Sequence, residues 1–400
     1  MGVVKFPTTG VTTMDILANR MRPLTTSIFT ELAQMKHAVR AAGKDIIDLS
    51  VGSPDLPPSA DIIEALVDGV RDVQNYGYAI TSLHEFQAAV ASFYKSRYGV
   101  SLDPQREVLQ VIGSQDGLAH LTLATVNPGD VVLVPDPGYP IYQASVQLAS
   151  GVLYPMPLLA ENDFLPDLAA IPREICQRAK LMILNYPGNP VPKLATRKFF
   201  RDVVSFAQVN DILVIHDFAY SELVFDGRKP TSFLSIDGAR QVGIEFNSLS
   251  KTFNLAGARI GYAVGHPGVL AALAQLKSNI DYGVFLPIQR AAIVALTGDP
   301  ALLTDQAHTY EARRDALCDA LDDIGWRVQR PSATMFLWAK LPLHIASSHD
   351  FAMNLLERTG VAVTPGRAFG SCGEGYLRIA LVKDVPILQE AARRIGTVLR

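Results

Sequence analysis

Lys251 lies in Ser-Leu-Ser-Lys-Thr-Phe, directly after the apolar run 242–247, with Arg259 eight residues further on. A lysine that closes a buried strand loses its proton more readily than a solvated one, because desolvation penalises the ammonium. That suits it to Schiff-base chemistry with an aldehyde. Two serines beside it and an arginine nearby suit a bound phosphate. Both properties in one place describe pyridoxal 5′-phosphate held covalently; an ordinary exposed loop lysine is the competing reading.

Three further segments bear on the choice. Asp217 ends the apolar run 212–216, and Tyr220 follows three residues later. A buried carboxylate keeps the ring nitrogen of such a cofactor protonated, and a tyrosine hydroxyl can tune its phenolate oxygen. An aspartate at a strand end also serves simply as a cap for the next turn. Asn189 stands in the proline-rich turn Leu-Asn-Tyr-Pro-Gly-Asn-Pro-Val-Pro (184–192), which would present its amide rigidly or be a turn and nothing more. Gly-Ser-Gln-Asp-Gly (113–117) joins an apolar run at 108–112 to a helical pattern at 116–126. A strand, a glycine turn and a helix start favour an anion through backbone N–H groups and the helix dipole. Without GxGxxG or GxxxxGK[ST], a phosphate monoester fits better than a dinucleotide or nucleoside triphosphate.

What positions these residues is a shared relation to strands. Each follows a short apolar run, at 108–112, 181–184, 212–216 and 242–247, and helical patterns at 116–126, 140–149 and 196–209 separate most of the runs. Such alternation predicts an α/β fold with parallel strands and crossover helices, whose carboxyl ends share one edge. Ligands bind at that edge. Ser114, Asn189, Asp217, Tyr220 and Lys251 therefore converge on it.

At these residues the chain resembles the class I and II aminotransferases, pyridoxal-phosphate enzymes of fold type I, from about residue 25 to its end. The resemblance implies a large domain with a mostly parallel sheet flanked by helices and a smaller α+β domain. It implies that Lys251 carries pyridoxal 5′-phosphate, that Asp217 pairs with the pyridine nitrogen, and that Asn189 and Tyr220 meet the phenolate oxygen. Ser114, Gln115, Ser248, Ser250 and Arg259 correspond to the phosphate cup, and Tyr139, in Asp-Pro-Gly-Tyr-Pro-Ile-Tyr (136–142), to the aromatic stacked on the ring. Arg378, in Gly-Glu-Gly-Tyr-Leu-Arg-Ile-Ala-Leu (373–381), corresponds to the arginine that grips the substrate carboxylate, and Gly52 to a backbone that closes beside it. A bidentate guanidinium is the natural partner of a planar carboxylate. Tyr76 and Tyr78 lie where the family sends a tyrosine to the phosphate of a neighbouring subunit, which implies a homodimer with shared sites.

Within the family, Gly-Ser-Gln-Asp-Gly-Leu-Ala-His-Leu and Lys-Ser-Asn-Ile-Asp-Tyr-Gly-Val-Phe (277–285) look most like LL-diaminopimelate aminotransferases and their relatives. Two positions depart from their pattern: Ser27 stands before Ile28-Phe29 where they usually carry a tyrosine, and Gly188-Asn189-Pro190-Val191-Pro192 replaces Asn-Asn-Pro-Thr-Gly. The first touches a substrate contact, the second only the turn. Asn279, Asp281 and Tyr282 are candidates for contacting the distal end of the substrate.

Composition fits an enzyme of amino and 2-oxo acids. Four hundred residues, 48% of them hydrophobic, bury a large core and usually make two domains. The expected division is an N-terminal arm and small-domain segment at 1–48, a large cofactor-binding domain at 49–285 and a small domain at 286–400. A net charge of −3 gives no electrostatic footprint for nucleic acid. Three scattered cysteines indicate a reducing compartment, and no apolar stretch is long enough to span a membrane, so a cytoplasmic protein is expected. No metal site is expected: the cysteines lack metal spacing, and His84, His216 and His308 read as structural.

The same residues would serve a C–S β-lyase or an oxygen-using relative, since proton removal at Cα is shared. A ligand-sensing regulatory module is the reading from a different class. It normally carries a fused DNA-binding segment, for which residues 1–24 are too short and too poorly basic.

Overall fold

The computed structural model describes residues 16–24 and 28–399. Ser27 and most of the expected N-terminal arm lie outside the described residues. Twelve strands are present among those described: β1 (Ile47–Asp48), β2 (Val108–Val111), β3 (Val131–Asp136), β4 (Val152–Pro157), β5 (Ala179–Asn185), β6 (Leu213–Asp217), β7 (Gly243–Ser248), β8 (Gly261–Gly265), β9 (Phe336–Lys340), β10 (Val361–Ala362), β11 (Thr364–Pro365) and β12 (Tyr376–Ala380).

Seven of them form the main sheet in the order β2-β8-β7-β6-β5-β3-β4. The pairs β3–β4, β3–β5, β5–β6 and β6–β7 are parallel, while β8 runs antiparallel to both neighbours. Helices cover both faces, so the inner strands β3, β5 and β6 are largely continuous apolar runs rather than alternating ones, while the edge strand β4 stays largely exposed. In β3, Val131 and Leu133 enter one core while Val132 and Val134 enter the other. All four apolar runs read from the sequence fall in this sheet and point the same way. The reversed β8 did not show in the pattern. It returns from β7 through a short connection containing the 3-10 turn Ala256–Ala258, too short for a helical crossover, so the strand comes back antiparallel.

Helix placement follows local signals. Thr196 caps the helix Arg197–Asn210 by accepting the Phe199 N–H at 3.1 Å, and Asp211 ends it at φ 54°. Pro140 opens the helix Pro140–Leu148 at a position that needs no N–H donor.

A second core gathers around the antiparallel sheet β11-β12-β9 and includes Trp338's neighbours Leu337 and Ala339, with Leu355 and Leu388 from the helices Ser348–Thr359 and Val385–Gly396. β1 pairs in parallel with β10, which ties residues 47–48 to this C-terminal unit. The helix Leu286–Thr297 packs instead into the core of the main sheet through Ala291, Ala292 and Leu296. The long helix Ala301–Asp323 spans both units, with Leu303 in the first core and Tyr310 and Leu317 in the second.

Candidate active site

A cavity of about 310 Å³ opens where the carboxyl ends of β5, β6 and β7 meet the C-terminal unit. Its walls bring together Ser114, Gln115, Tyr139, Asn189, Asp217, Tyr220, Ser248, Ser250, Lys251, Arg259, Gly52 and Arg378. The convergence expected from strand topology is therefore present as geometry.

Each side chain is placed by its element. Ser248 ends β7, and its hydroxyl accepts the Ser250 N–H at 3.1 Å, starting a short helix (Leu249–Thr252) that aims Lys251 back into the cavity. Lys251 Nζ donates to the Gly52 carbonyl at 2.5 Å. Burial, with the positive charges of Arg378 and Arg259, draws its pKa down from 10.5 to about 8. Asp217 ends β6; its carboxylate accepts from the Tyr142 hydroxyl at 2.7 Å and from the Ala219 N–H at 3.3 Å. Burial raises its pKa against these lowering contacts. Tyr220 is buried, and desolvation pushes its hydroxyl up.

Gly113, at φ 81°, turns the chain from β2 into the helix Ser114–Thr125. A side chain there would meet Arg259, since a Cβ would lie 2.7 Å from Nη2. The backbone thus sits against the guanidinium, at a helix N-terminus that already favours anions. Tyr139, held over the cavity, donates its hydroxyl to Gln115 Oε1 at 3.1 Å.

Arg378 is 1% exposed and enters from β12. Its Nη1 donates to Asn189 Oδ1 at 2.8 Å, its Nη2 to the Ser50 carbonyl at 2.6 Å, and its Nε has no partner. The rings of Phe336 and Phe369 lie 4.4 and 4.8 Å from the guanidinium. Burial without a carboxylate lowers its pKa to about 10. Three cations and one carboxylate line the cavity, so it is built for anionic groups. A phosphate monoester beside Arg259 and a planar carboxylate beside Arg378 satisfy that balance, and the residues fit pyridoxal 5′-phosphate.

Other predicted residues lie elsewhere. Tyr76 and Tyr78 are 64% and 89% exposed and do not reach this cavity. Their rings meet Phe285 and Tyr282 at 5.5 and 6.4 Å. Asn279 donates to the Gln275 carbonyl, Asp281 pairs with Lys277, and Tyr282 lines a separate cavity of about 670 Å³. The segment after the helix Pro267–Ser278 turns toward Tyr78 rather than toward Lys251, which is why these three miss the site of their own chain. The larger cavity contains none of the candidate cofactor-binding residues.

Tyr142, Asn185 and Phe336 line the site and did not emerge from the sequence. Tyr142 stands one helical turn after Tyr139, a spacing that could have flagged it. Asn185, whose amide donates to the Asp217 carbonyl at 2.7 Å, is the second residue of the turn already singled out for Asn189.

Comparison with known proteins agrees with the geometry. The sequence profile of aminotransferase class I and II matches residues 44–395. LL-diaminopimelate aminotransferase of Desulforudis audaxviator is 49% identical over 380 residues, covering 94% of this chain and 96% of that protein. The Moorella thermoacetica enzyme of that name is 46% identical, with 96% and 98% covered. Substrate-bound BacF from Bacillus subtilis superposes with a TM-score of 0.93 at 37% identity, over 96% of this chain and 98% of that one. N-succinyldiaminopimelate aminotransferase from Mycobacterium tuberculosis gives 0.90 at 28% identity, over 96% and 100%. A cavity balanced for a phosphate and a carboxylate, on this sheet and with this profile, leaves one conclusion: the chain belongs to the class I and II aminotransferases, which depend on pyridoxal 5′-phosphate.

Proposed function

We propose that the chain transfers the amino group of an LL-diaminopimelate-class amino acid, or of a smaller glutamate, aspartate or alanine donor, to a 2-oxo acid. The observation that carries the carboxylate end of this reading is Arg378, a buried guanidinium with a free Nε and no carboxylate partner among the described residues. The donor class rests on the similar enzymes named for it.

Bound pyridoxal 5′-phosphate supplies the electron sink that makes the substrate Cα proton removable. Arg378 receives the α-carboxylate in the plane set by Asn189 and Ser50, with the Gly52 backbone alongside. Lys251 Nζ, neutral in part near its pKa of about 8, would take the Cα proton and return it to the carbon on the far side of the amino nitrogen. Asp217, steadied by Tyr142, would hold the ring nitrogen's proton. Asn189 and Tyr220 would donate to the phenolate oxygen, and Tyr139 would cover the ring. Ser114, Gln115, Ser248, Ser250 and Arg259 would hold the phosphate. Release of one oxo acid before the second enters makes the kinetics ping-pong.

A homodimer belongs to the same proposal. Tyr76, Tyr78, Ile80, Ile280 and Tyr282 are all more than 45% exposed, a strip that a second copy would cover while one of the tyrosines reaches its phosphate. We place the division between the domains within Ala301–Asp323 rather than at 285, because Leu286–Thr297 packs on the main sheet. We place the protein in the cytoplasm on the strength of its three free cysteines. No helix among the described residues is long and apolar enough to cross a membrane.

The test is a half-reaction screen. The yellow holoenzyme meets single amino acids without oxo acid while its spectrum is followed, with LL-diaminopimelate, glutamate, aspartate, alanine, methionine, arginine and aromatic donors. Conversion to the pyridoxamine form by diaminopimelate or the small donors is expected. Persistence of the yellow form with accumulation of pyruvate and ammonia would instead identify a β-lyase.

A further inference from the structure

Among the buried polar groups that the proposed chemistry leaves unused, one cluster crosses the strands that carry the site. His216 and Glu245 are both fully buried. They sit side by side in register on β6 and β7, and Leu184 of β5 flanks His216 on the other side. His216 Nε2 lies 2.9 Å from the Tyr186 carbonyl, and Nδ1 lies 2.7 Å from Glu245 Oε1. A carbonyl only accepts, so Nε2 carries a hydrogen. Glu245 already accepts from the Ser232 hydroxyl at 2.7 Å and from the Phe233 N–H at 2.5 Å. With both of its oxygens engaged, Glu245 is a fixed anchor for Nδ1, and His216 bridges β7 to the turn that follows β5. Rings of Phe200, Phe218 and Phe233 surround it, 5.1, 4.9 and 6.4 Å away between centroids.

The placement matters because of what comes next along each strand. Asp217 is the following residue on β6. The Tyr186 carbonyl lies three residues before Asn189, and β7 runs from Glu245 to Ser248 and then Lys251. We propose that His216, clamped between Glu245 and the Tyr186 carbonyl, is a positioning residue of the active site. It holds the turn bearing Asn189 against Asp217. The inference rests on the pyridoxal-phosphate reading above.

The experiment compares the holoenzyme with His216→Phe and with His216→Phe/Glu245→Gln. The single variant strands Glu245 without its ring partner, and the double variant removes both ends of that bond together. Three quantities are read: the pH midpoint of the bound cofactor's absorbance, the cofactor Kd, and kcat with KM for the amino donor. A turn released from His216 presents Asn189 less firmly to the phenolate oxygen and leaves more negative charge there, so the midpoint should move up by about one pH unit in both variants. The kcat should fall about tenfold, and KM should rise severalfold because Asn189 also supports Arg378. An unmoved midpoint and kcat in the folded double variant would overturn the inference and leave His216 a packing residue, even if the single variant failed to fold. No cofactor band in the unsubstituted protein would instead sink the parent reading, and this one with it.

Discussion

Lys251 shows how much the site depends on burial. An ordinary lysine titrates at 10.5, and this one at about 8. Between those values the folded chain has released a proton that the unfolded chain still holds, so stability contributed by this group rises with pH across that window. Below about pH 8 the buried ammonium costs the cofactor-free protein about 3 kcal/mol. Lys251→Met should therefore make the cofactor-free protein more stable at neutral pH by about 2–3 kcal/mol, an advantage that fades as pH approaches 10.5. Urea unfolding of both proteins at two pH values measures it, and a difference independent of pH would contradict the account. Arg378 presents the same logic without the titration: its guanidinium gives up water for three aromatic rings and three acceptors (Asn189, Ser50 and Thr364), and a substrate carboxylate completes the set.

At the scale of elements, the helix Ser114–Thr125 decides where the phosphate end of the site lies. Gly117, one turn into it, lets it approach β7: a Cβ there would come within 2.4 Å of the Phe246 ring and 3.0 Å of Val111. Two effects of Gly117→Ala oppose each other. Alanine improves helix propensity by about 1 kcal/mol, whereas overpacking against a fully buried ring costs about 1–3 kcal/mol. Phe246 is 0% exposed and has no room to yield, so the clash wins. Gly117→Ala should lower stability and, by tilting the helix start, weaken cofactor binding about tenfold, which corresponds to ~1.4 kcal/mol. Thermal unfolding and titration of the cofactor-free protein with pyridoxal 5′-phosphate report both. A more stable variant would show that the helix has slack.

Across the whole molecule, the site is completed by joining two units, and Asp136 is one of the fastenings. It closes β3 at 6% exposure and accepts from the Ser371 hydroxyl at 2.7 Å and the Cys372 N–H at 3.1 Å. Gly370 approaches so closely that a Cβ would sit 2.0 Å from Asp136 Oδ1, and the Gly138 N–H donates to the Phe369 carbonyl at 2.8 Å. This segment leads into β12 and Arg378, while β3 leads to Tyr139. Asp136→Ala strands two donors, at a cost of about 1–3 kcal/mol. The expected result is a raised KM for the amino donor with cofactor absorbance preserved, because the cofactor residues sit on the main sheet and the carboxylate arginine does not. An unchanged KM would mean that other contacts suffice to hold the units together.

The four apolar runs at 108–112, 181–184, 212–216 and 242–247 needed only one-dimensional information, since buried parallel strands are apolar throughout and every crossover returns the chain to one edge. That placed Ser114, Asn189, Asp217 and Lys251 together before any coordinates. Residues whose role depends on contacts between distant segments stayed hidden. Tyr142 gains its meaning from the Asp217 carboxylate 75 positions away, and the Arg378–Asn189 bond spans 189. Asn279, Asp281 and Tyr282 lie on a segment whose direction only the folded chain decides. His216 reads as a core histidine until β7 and the turn after β5 supply partners on either side of its ring. Periodicity is local and written in the sequence; which partner a buried polar group meets is settled by packing, because only there do burial and distance set its charge.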